Sequence, residues 1–362
     1  MTPPVTPPLT PPVPPVFLPG LELCGVFYRD AVRPLLDDAY PGLPHAAARI
    51  GAGSEVLGYD SVRSTDHDWG PRLTLFLDPA DHARHAAGID AVLRARLPKH
   101  VLGWPTHFTP EDARVRVMTA TDGPVAHRVD VTTVAGWTAG QFGAPFTGSL
   151  LDWLATPTQT FAETVGGAVY HDDTGELTAL RAAVAWYPHD VWRYVLAAQW
   201  TQIAQEEAFP GRAVEAGDAL GGRVVAARLA RHVMRLRLLQ QRRWPPYSKW
   251  LGTAFAALPG LLDPDDLCSA YEDAGRRQNL LGLSAAVDAT RRPYFDRPYP
   301  VIDAGRFAAA LTAAITDPAV AALPPVGGID QYVDSTDLLV RADLRRAVAA
   351  AVLQPVLGRV DL

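Results

Sequence analysis

Asp66 and Asp68, two carboxylates one residue apart, follow the small-residue turn Gly53-Ser54 by twelve residues. Small residues let backbone N–H groups approach an anion closely, which makes Gly53 and Ser54 candidates for holding phosphate oxygens. On an extended segment, Asp66 and Asp68 would point to the same side. Hard divalent cations such as Mg²⁺ prefer carboxylate oxygens and share them with phosphates. The conjunction suggests a triphosphate cradled at 53–54 and a cation held at 66 and 68. Taken singly, neither Gly-Ser nor Asp-x-Asp is informative, because both occur on ordinary turns and solvated strands.

The pattern Ile50, Gly53-Ser54, Gly58 and Thr65-Asp66-His67-Asp68 resembles the nucleotidyltransferase superfamily that includes DNA polymerase beta and the antibiotic nucleotidyltransferases. A closer resemblance is to an uncharacterised bacterial domain-of-unknown-function family. Its members carry Gly-Ser-Glu-Val-Leu-Gly, Asp-His-Asp-Trp-Gly and Pro-Tyr-Ser-Lys-Trp runs, matched here at 53–58, 66–70 and 246–250. The resemblance implies Asp66 and Asp68 as catalytic Mg²⁺ ligands and Gly53 and Ser54 as contacts to the β- and γ-phosphates of a nucleoside triphosphate, with ATP the expected donor. It also implies a third carboxylate from a later strand. Asp130, flanked by Val129 and Val131, is the best placed for that role; a surface acid on a half-exposed strand is the alternative. Lys249 matches a phosphate-contacting lysine of the antibiotic enzymes, with a surface lysine near a helix end as the equal alternative.

This chain departs from the superfamily just after the pair. Trp69-Gly70-Pro71 stands where an apolar strand usually continues, and proline removes a ladder donor, so an edge or a bulge is expected there. His67 reads as a hydrogen-bonded structural histidine rather than a ligand. Glu206 and Glu207 read as solvated charges ending a helix, with a general base as the alternative. The arginine run at 223, 228, 231, 235 and 237 reads as a solvated face, with the lining of a triphosphate or acidic-substrate groove as the alternative.

The elements that must position these residues follow from hydrophobic spacing. A first helix is expected over Leu21–Leu36, ending near Arg33-Pro34. A short strand or helix end is expected at 46–50 and strands at 73–77, 114–118, 128–132 and 168–170, with a helix over 80–97. Beyond them, helical spacing dominates: 177–186, 191–209, 222–243, 249–257, 265–283, 303–316 and 340–357. The expected fold class is α+β, a small mixed-sheet nucleotidyltransferase domain over 19–175 followed by a C-terminal helical bundle over 176–362. Residues 1–18 read as a disordered Pro-rich tail built on Thr-Pro-Pro repeats.

With 362 residues, the chain can bury a substantial core, and 48% hydrophobic against 20% charged residues suits a globular protein. A net charge of −6 argues against broad nucleic-acid binding, which needs a basic face. No run approaches the roughly 20 apolar residues that cross a bilayer. Cys24 and Cys268 show no metal-ligand spacing and read as reduced thiols; with no secretory pattern at the N-terminus, a cytoplasmic protein is expected. Expected partners are a nucleotide and an acceptor, with neither membrane nor nucleic acid. Two of the 33 basic residues are lysine, Lys99 and Lys249, and a retained lysine suits a place where a compact ammonium is wanted.

Overall fold

The computed structural model describes residues 15–110, 112–113, 115–259 and 266–357. Most of the expected Pro-rich tail, residues 1–14, lies outside them. The chain divides into two compact units, one formed by residues 1–134 with 166–177 and the other by 135–165 with 178–362. The architecture is α+β: small sheets in the first unit and an extensive helical region toward the C-terminus.

A four-stranded mixed sheet organises the first unit. We number its strands β1 (Ala46–Arg49), β2 (Arg72–Phe76), β3 (Arg128–Thr132) and β4 (Ala168–Asp172), in the spatial order β3-β2-β1-β4. β1 is antiparallel to β2 and β4, whereas β2 and β3 are parallel, with Arg72 opposite Arg128 and Thr74 opposite Asp130. Helices α1 (Gly20–Phe27) and α2 (Arg33–Ala39) pack against the sheet, as does α3 (Pro79–Arg96). Their core contributions include Leu23, Phe27, Leu36, Ile89 and Leu93, closing over Leu73, Leu75 and Val129. Asp78 starts α3 by accepting hydrogen bonds from the N–H groups of Ala80 and Asp81, and Pro79 occupies a position whose N–H has no helical acceptor.

Three expectations are corrected here. The first helix does not stop at Pro34. A π-helical segment, Tyr28–Val32, joins α1 to α2, so the wider turn absorbs the proline at the start of the resumed helix. The expected strand at 114–118 is reduced to Met118–Thr119, paired with His107–Phe108; residue 114 lies outside the described residues. The carbonyls of Arg116 and Val117 instead accept the N–H groups of Asp68 and Thr109, which diverts this segment from the main sheet. Finally, Trp69-Gly70-Pro71 makes neither an edge nor a bulge. β2 begins one residue after Pro71 and is central. Trp69 is buried against Phe17 and Trp104, and its Nε1 donates to Asp60 at 3.0 Å. Gly70 has φ +130°, and a Cβ there would lie 2.6 Å from Met118 Sδ, so the segment is a core anchor that only glycine permits.

The second unit is built on the His189–Glu206 helix, buried through Trp192, Val195, Leu196, Trp200 and Ile203. The Ala219–Gln240 and Gly305–Ala313 helices pack against it. An aromatic cluster of Phe142, Trp153, Phe161, Tyr187 and Trp244 fills the neighbouring interior. Among the described residues no helix is long and apolar enough to cross a membrane.

The arginine run divides along its helix: Arg223 and Arg228 are exposed as a solvated face would have them, Arg231 is partly buried, and Arg235 and Arg237 belong to the interior. Arg235 and Arg237 are buried and meet Asp330 and Asp273, while Arg228 and Arg231 meet Glu206 and Asp334. Glu207 is not a solvated helix-end charge: its carboxylate accepts the N–H groups of Ile302, Asp303 and Ala304, and burial raises its pKa.

Candidate functional site

The Gly-Ser turn is fastened from below by a buried ionic triad. Arg49 ends β1, and its Nε donates to Glu55 Oε1 at 2.8 Å. Arg72, the first residue of β2, donates to the same oxygen. All three side chains are buried. Burial opposes ionisation of Glu55, but Arg49 and Arg72 outweigh it and hold its carboxyl below the usual range. Burial, followed by the neighbouring Arg49, lowers Arg72 to about 10, so it keeps its charge at neutral pH. Two guanidiniums on one carboxylate leave an excess positive charge within the fold. A Cβ at Gly53 would stand 2.4 Å from Arg49 Nη2 and 2.6 Å from Glu55 Oε2, so the triad touches the turn directly. The carbonyls of Gly53 and Ser54 accept Val56, Leu57 and Tyr59 N–H groups.

The carboxylate pair does not sit on a strand. Asp66 closes the short 3₁₀ turn Val62–Asp66, His67 is extended, and Asp68 adopts φ +47°. Asp66 is exposed, and its Oδ1 lies 2.8 Å from His67 Nδ1. Asp68 is half-buried and accepts a hydrogen bond from Arg128 Nη1 at 2.6 Å. The Arg128 guanidinium also stacks over Phe108. Arg128 and Asp130 are two residues apart on β3 and so share a face of the sheet. Asp130 is exposed. A cavity of about 370 Å³ lies alongside, lined by Arg94, His107, Phe108, Arg116 and His127. Lys249 belongs to the second unit, exposed at the start of the Ser248–Ala256 helix, with Nζ over the ring of Trp250.

A second set of side chains was not visible in the sequence. Among the described residues, the group of three ligand side chains whose atoms converge within 4.8 Å is His45, His171 and Asp173, an arrangement able to hold a metal ion. His171 Nε2 and His45 Nδ1 lie 2.8 and 3.9 Å from Asp173 Oδ2. His45 is buried, His171 partly so, and Asp173 exposed. The positions are far apart in the chain, and no short motif joins them. Burial, and then the neighbouring His171, lower the pKa of His45, and the backbone N–H of His45 leads the contacts that lower that of Asp173.

Residues 153–251 match the model of a domain of unknown function, DUF4037. That stretch contains Pro246-Tyr247-Ser248-Lys249-Trp250 and excludes both the Gly-Ser turn and the carboxylate pair. Neither the curated proteins nor the solved structures give a match to this chain.

Proposed function

We propose that the chain is a Mg²⁺-dependent nucleotidyltransferase that moves a nucleoside monophosphate from a triphosphate, with ATP as the donor, to a small-molecule or protein acceptor. The observation that carries this reading is the parallel register of β2 and β3. With that pairing in place, Asp68, in the turn ahead of β2, meets Arg128, which stands two residues from Asp130 on the same face. These carboxylates are the hard oxygen donors that Mg²⁺ requires. Asp66, Asp68 and Asp130 do not converge as a set within 4.8 Å here; drawn onto Mg²⁺, they would hold an ion that neutralises charge on the triphosphate.

The chain's own residues suit the rest of the task. The carbonyls of Gly53 and Ser54 are engaged inside the turn, which leaves N–H groups and the Ser54 hydroxyl to meet phosphate oxygens. The excess charge of Arg49 and Arg72 favours an anion at that turn. The neighbouring cavity, with Phe108 and two arginines in its lining, suits an anionic, partly aromatic ligand. Lys249 is the phosphate contact that the sequence resemblance implies. A cytoplasmic location, where ATP and Mg²⁺ are at hand, goes with this reading.

Pyrophosphate release in the presence of ATP, Mg²⁺ and candidate acceptors tests it, with Asp66→Asn and Asp68→Asn as controls. Metal-dependent release that both substitutions abolish supports the proposal. A second reading, a nucleotide-binding module without turnover, is favoured by one observation: Asp66 and Asp68 each already meet a protein cationic or imidazole group. Saturable ATP binding with no pyrophosphate under any condition would replace the first reading with the second.

A further inference from the structure

The geometry points to a second metal site, for a zinc-class transition ion, at His45, His171 and Asp173, which clips the β1–β4 edge of the sheet together. It lies apart from the carboxylate face: β3, with Asp130, forms one edge of the sheet, and β4, with His171, forms the other.

Three features of the fold build this site. First, Asp173 Oδ2 is a shared acceptor. It lies 2.8 Å from His171 Nε2, 3.9 Å from His45 Nδ1 and 3.1 Å from the His45 backbone N. Ligand atoms on one tetrahedral ion at about 2.0–2.1 Å from the metal are separated by roughly 3.3 Å, and the two imidazole–carboxylate spacings, 2.8 and 3.9 Å, bracket that value. Second, the pairing of β1 with β4 slips at Ala47/Ala48, where Ala47 faces His171 but Ala48 faces Val169. Consecutive strand residues point to opposite faces, and a bulge relieves that constraint. Tyr170 and His171 both stack on Tyr28 as a result, with ring centroids 6.3 and 6.2 Å away. The slip makes Tyr170 the extra residue. His171 is set by the regular part of the ladder, where Ala47 lies opposite His171 and Asp173 N–H donates to the His45 carbonyl, so 45, 171 and 173 share one face, and the His45 ring lies 4.7 Å from that of His171. Third, each nitrogen of His45 has a partner outside the trio: Nδ1 meets the Leu43 carbonyl at 3.0 Å, and Nε2 meets the Tyr28 hydroxyl at 2.9 Å. Whichever nitrogen takes the ion, the other keeps a partner that orients the ring, as metal-bound histidines commonly do.

Two imidazoles and one carboxylate select Zn²⁺, Co²⁺ or Ni²⁺ over Mg²⁺, which takes oxygen donors and keeps its water. Three protein ligands leave the fourth tetrahedral position to water. The ion joins chain positions 128 residues apart and so stabilises the fold that holds them.

Calorimetric titration of the untagged, chelator-treated full chain with Zn²⁺ tests the site. The expected result is one saturable equivalent, visible d–d absorption of four-coordinate Co²⁺, and a melting temperature raised by roughly 5 °C at hundredfold excess over Kd. His171→Gln with Asp173→Asn, both at least partly exposed and so compatible with folding, should weaken binding more than roughly 100-fold. Tyr28→Phe should weaken it about tenfold. Asp66→Asn with Asp68→Asn should leave zinc binding unchanged, which separates this site from the proposed Mg²⁺ site. No saturable binding of any of the three ions, or binding that survives the His171/Asp173 double substitution in a folded protein, would overturn the assignment.

Discussion

Arg128 Nη1, at the start of β3, donates at 2.6 Å to Oδ1 of Asp68, in the turn ahead of β2. A guanidinium thus lies where the proposed function requires a divalent cation to contact the same carboxylate. Arg128→Gln removes that competing charge. Because Asp68 is about half exposed, the pair contributes modestly, and apparent Mg²⁺ affinity should rise about two- to fivefold. Mg²⁺ dependence of ATP binding measures it. Weaker metal dependence in the variant would show instead that Arg128 positions Asp68 for the ion.

The triad of Arg49, Glu55 and Arg72 should behave as a unit of stability. Glu55→Gln leaves two buried guanidiniums without a counter-charge. Removing one member of a buried ion pair costs about 3–5 kcal/mol, so the urea midpoint should fall sharply. A loss below about 1 kcal/mol would mean that water reaches these guanidiniums.

Two glycines with positive φ should differ in how they tolerate a methyl group. Gly58 has φ +72° with no atom within 4 Å of a built Cβ, whereas the Cβ at Gly167 (φ +68°) would meet the Arg49 carbonyl oxygen at 2.0 Å. Gly58→Ala should cost about 1–2 kcal/mol from backbone strain alone. Gly167→Ala adds a backbone clash that no side-chain rotation relieves, so its loss should be at least about 1–3 kcal/mol greater. Denaturant unfolding of the two variants side by side checks the order, and equal losses would contradict the close approach of Gly167 to β1.

Stability should fall as pH drops from about 6.5 toward 4. His232 is buried and neutral, with Nδ1 3.0 Å from the Gln199 amide nitrogen. Burial, reinforced by Arg231, Arg228 and Arg235, lowers its pKa from 6.5 to about 4, against the weaker pull of Asp334. Between these values the unfolded chain binds a proton that the folded chain does not, so stability rises with pH through this window and is lost on acidification. A shift of this size corresponds to something on the order of 3 kcal/mol. His45 and His127, also lowered by burial, add in the same direction. Urea unfolding at pH 7 and pH 4.5 measures the loss, which His232→Gln should reduce if its own fold is intact.

Local pattern was enough to reveal much of the secondary structure. Alternation at 128–132 marked β3, helical spacing over 80–97 marked α3, and helical spacing marked the long elements of the second unit, because each signal lies within one element. The segment at 114–118 carried the same alternating signal without joining the sheet, because Asp68 and Thr109 take its carbonyls. Trp69-Gly70-Pro71 read as a disturbance of a strand and is a buried anchor ahead of one.

What the sequence determined alone was the inventory: a Gly-Ser turn, a carboxylate pair, Asp130 on an alternating strand, and many arginines. Tertiary structure decided the partners. Arg128 meets Asp68 because β2 and β3 run parallel in one register, and Arg235 meets Asp330 although 95 residues separate them in the numbering. His45, His171 and Asp173 converge only once β1 and β4 pair in this register. Periodicity reports which side of its own element a residue occupies; long-range pairing sets what stands opposite, and charge and ligand chemistry depend on that second quantity.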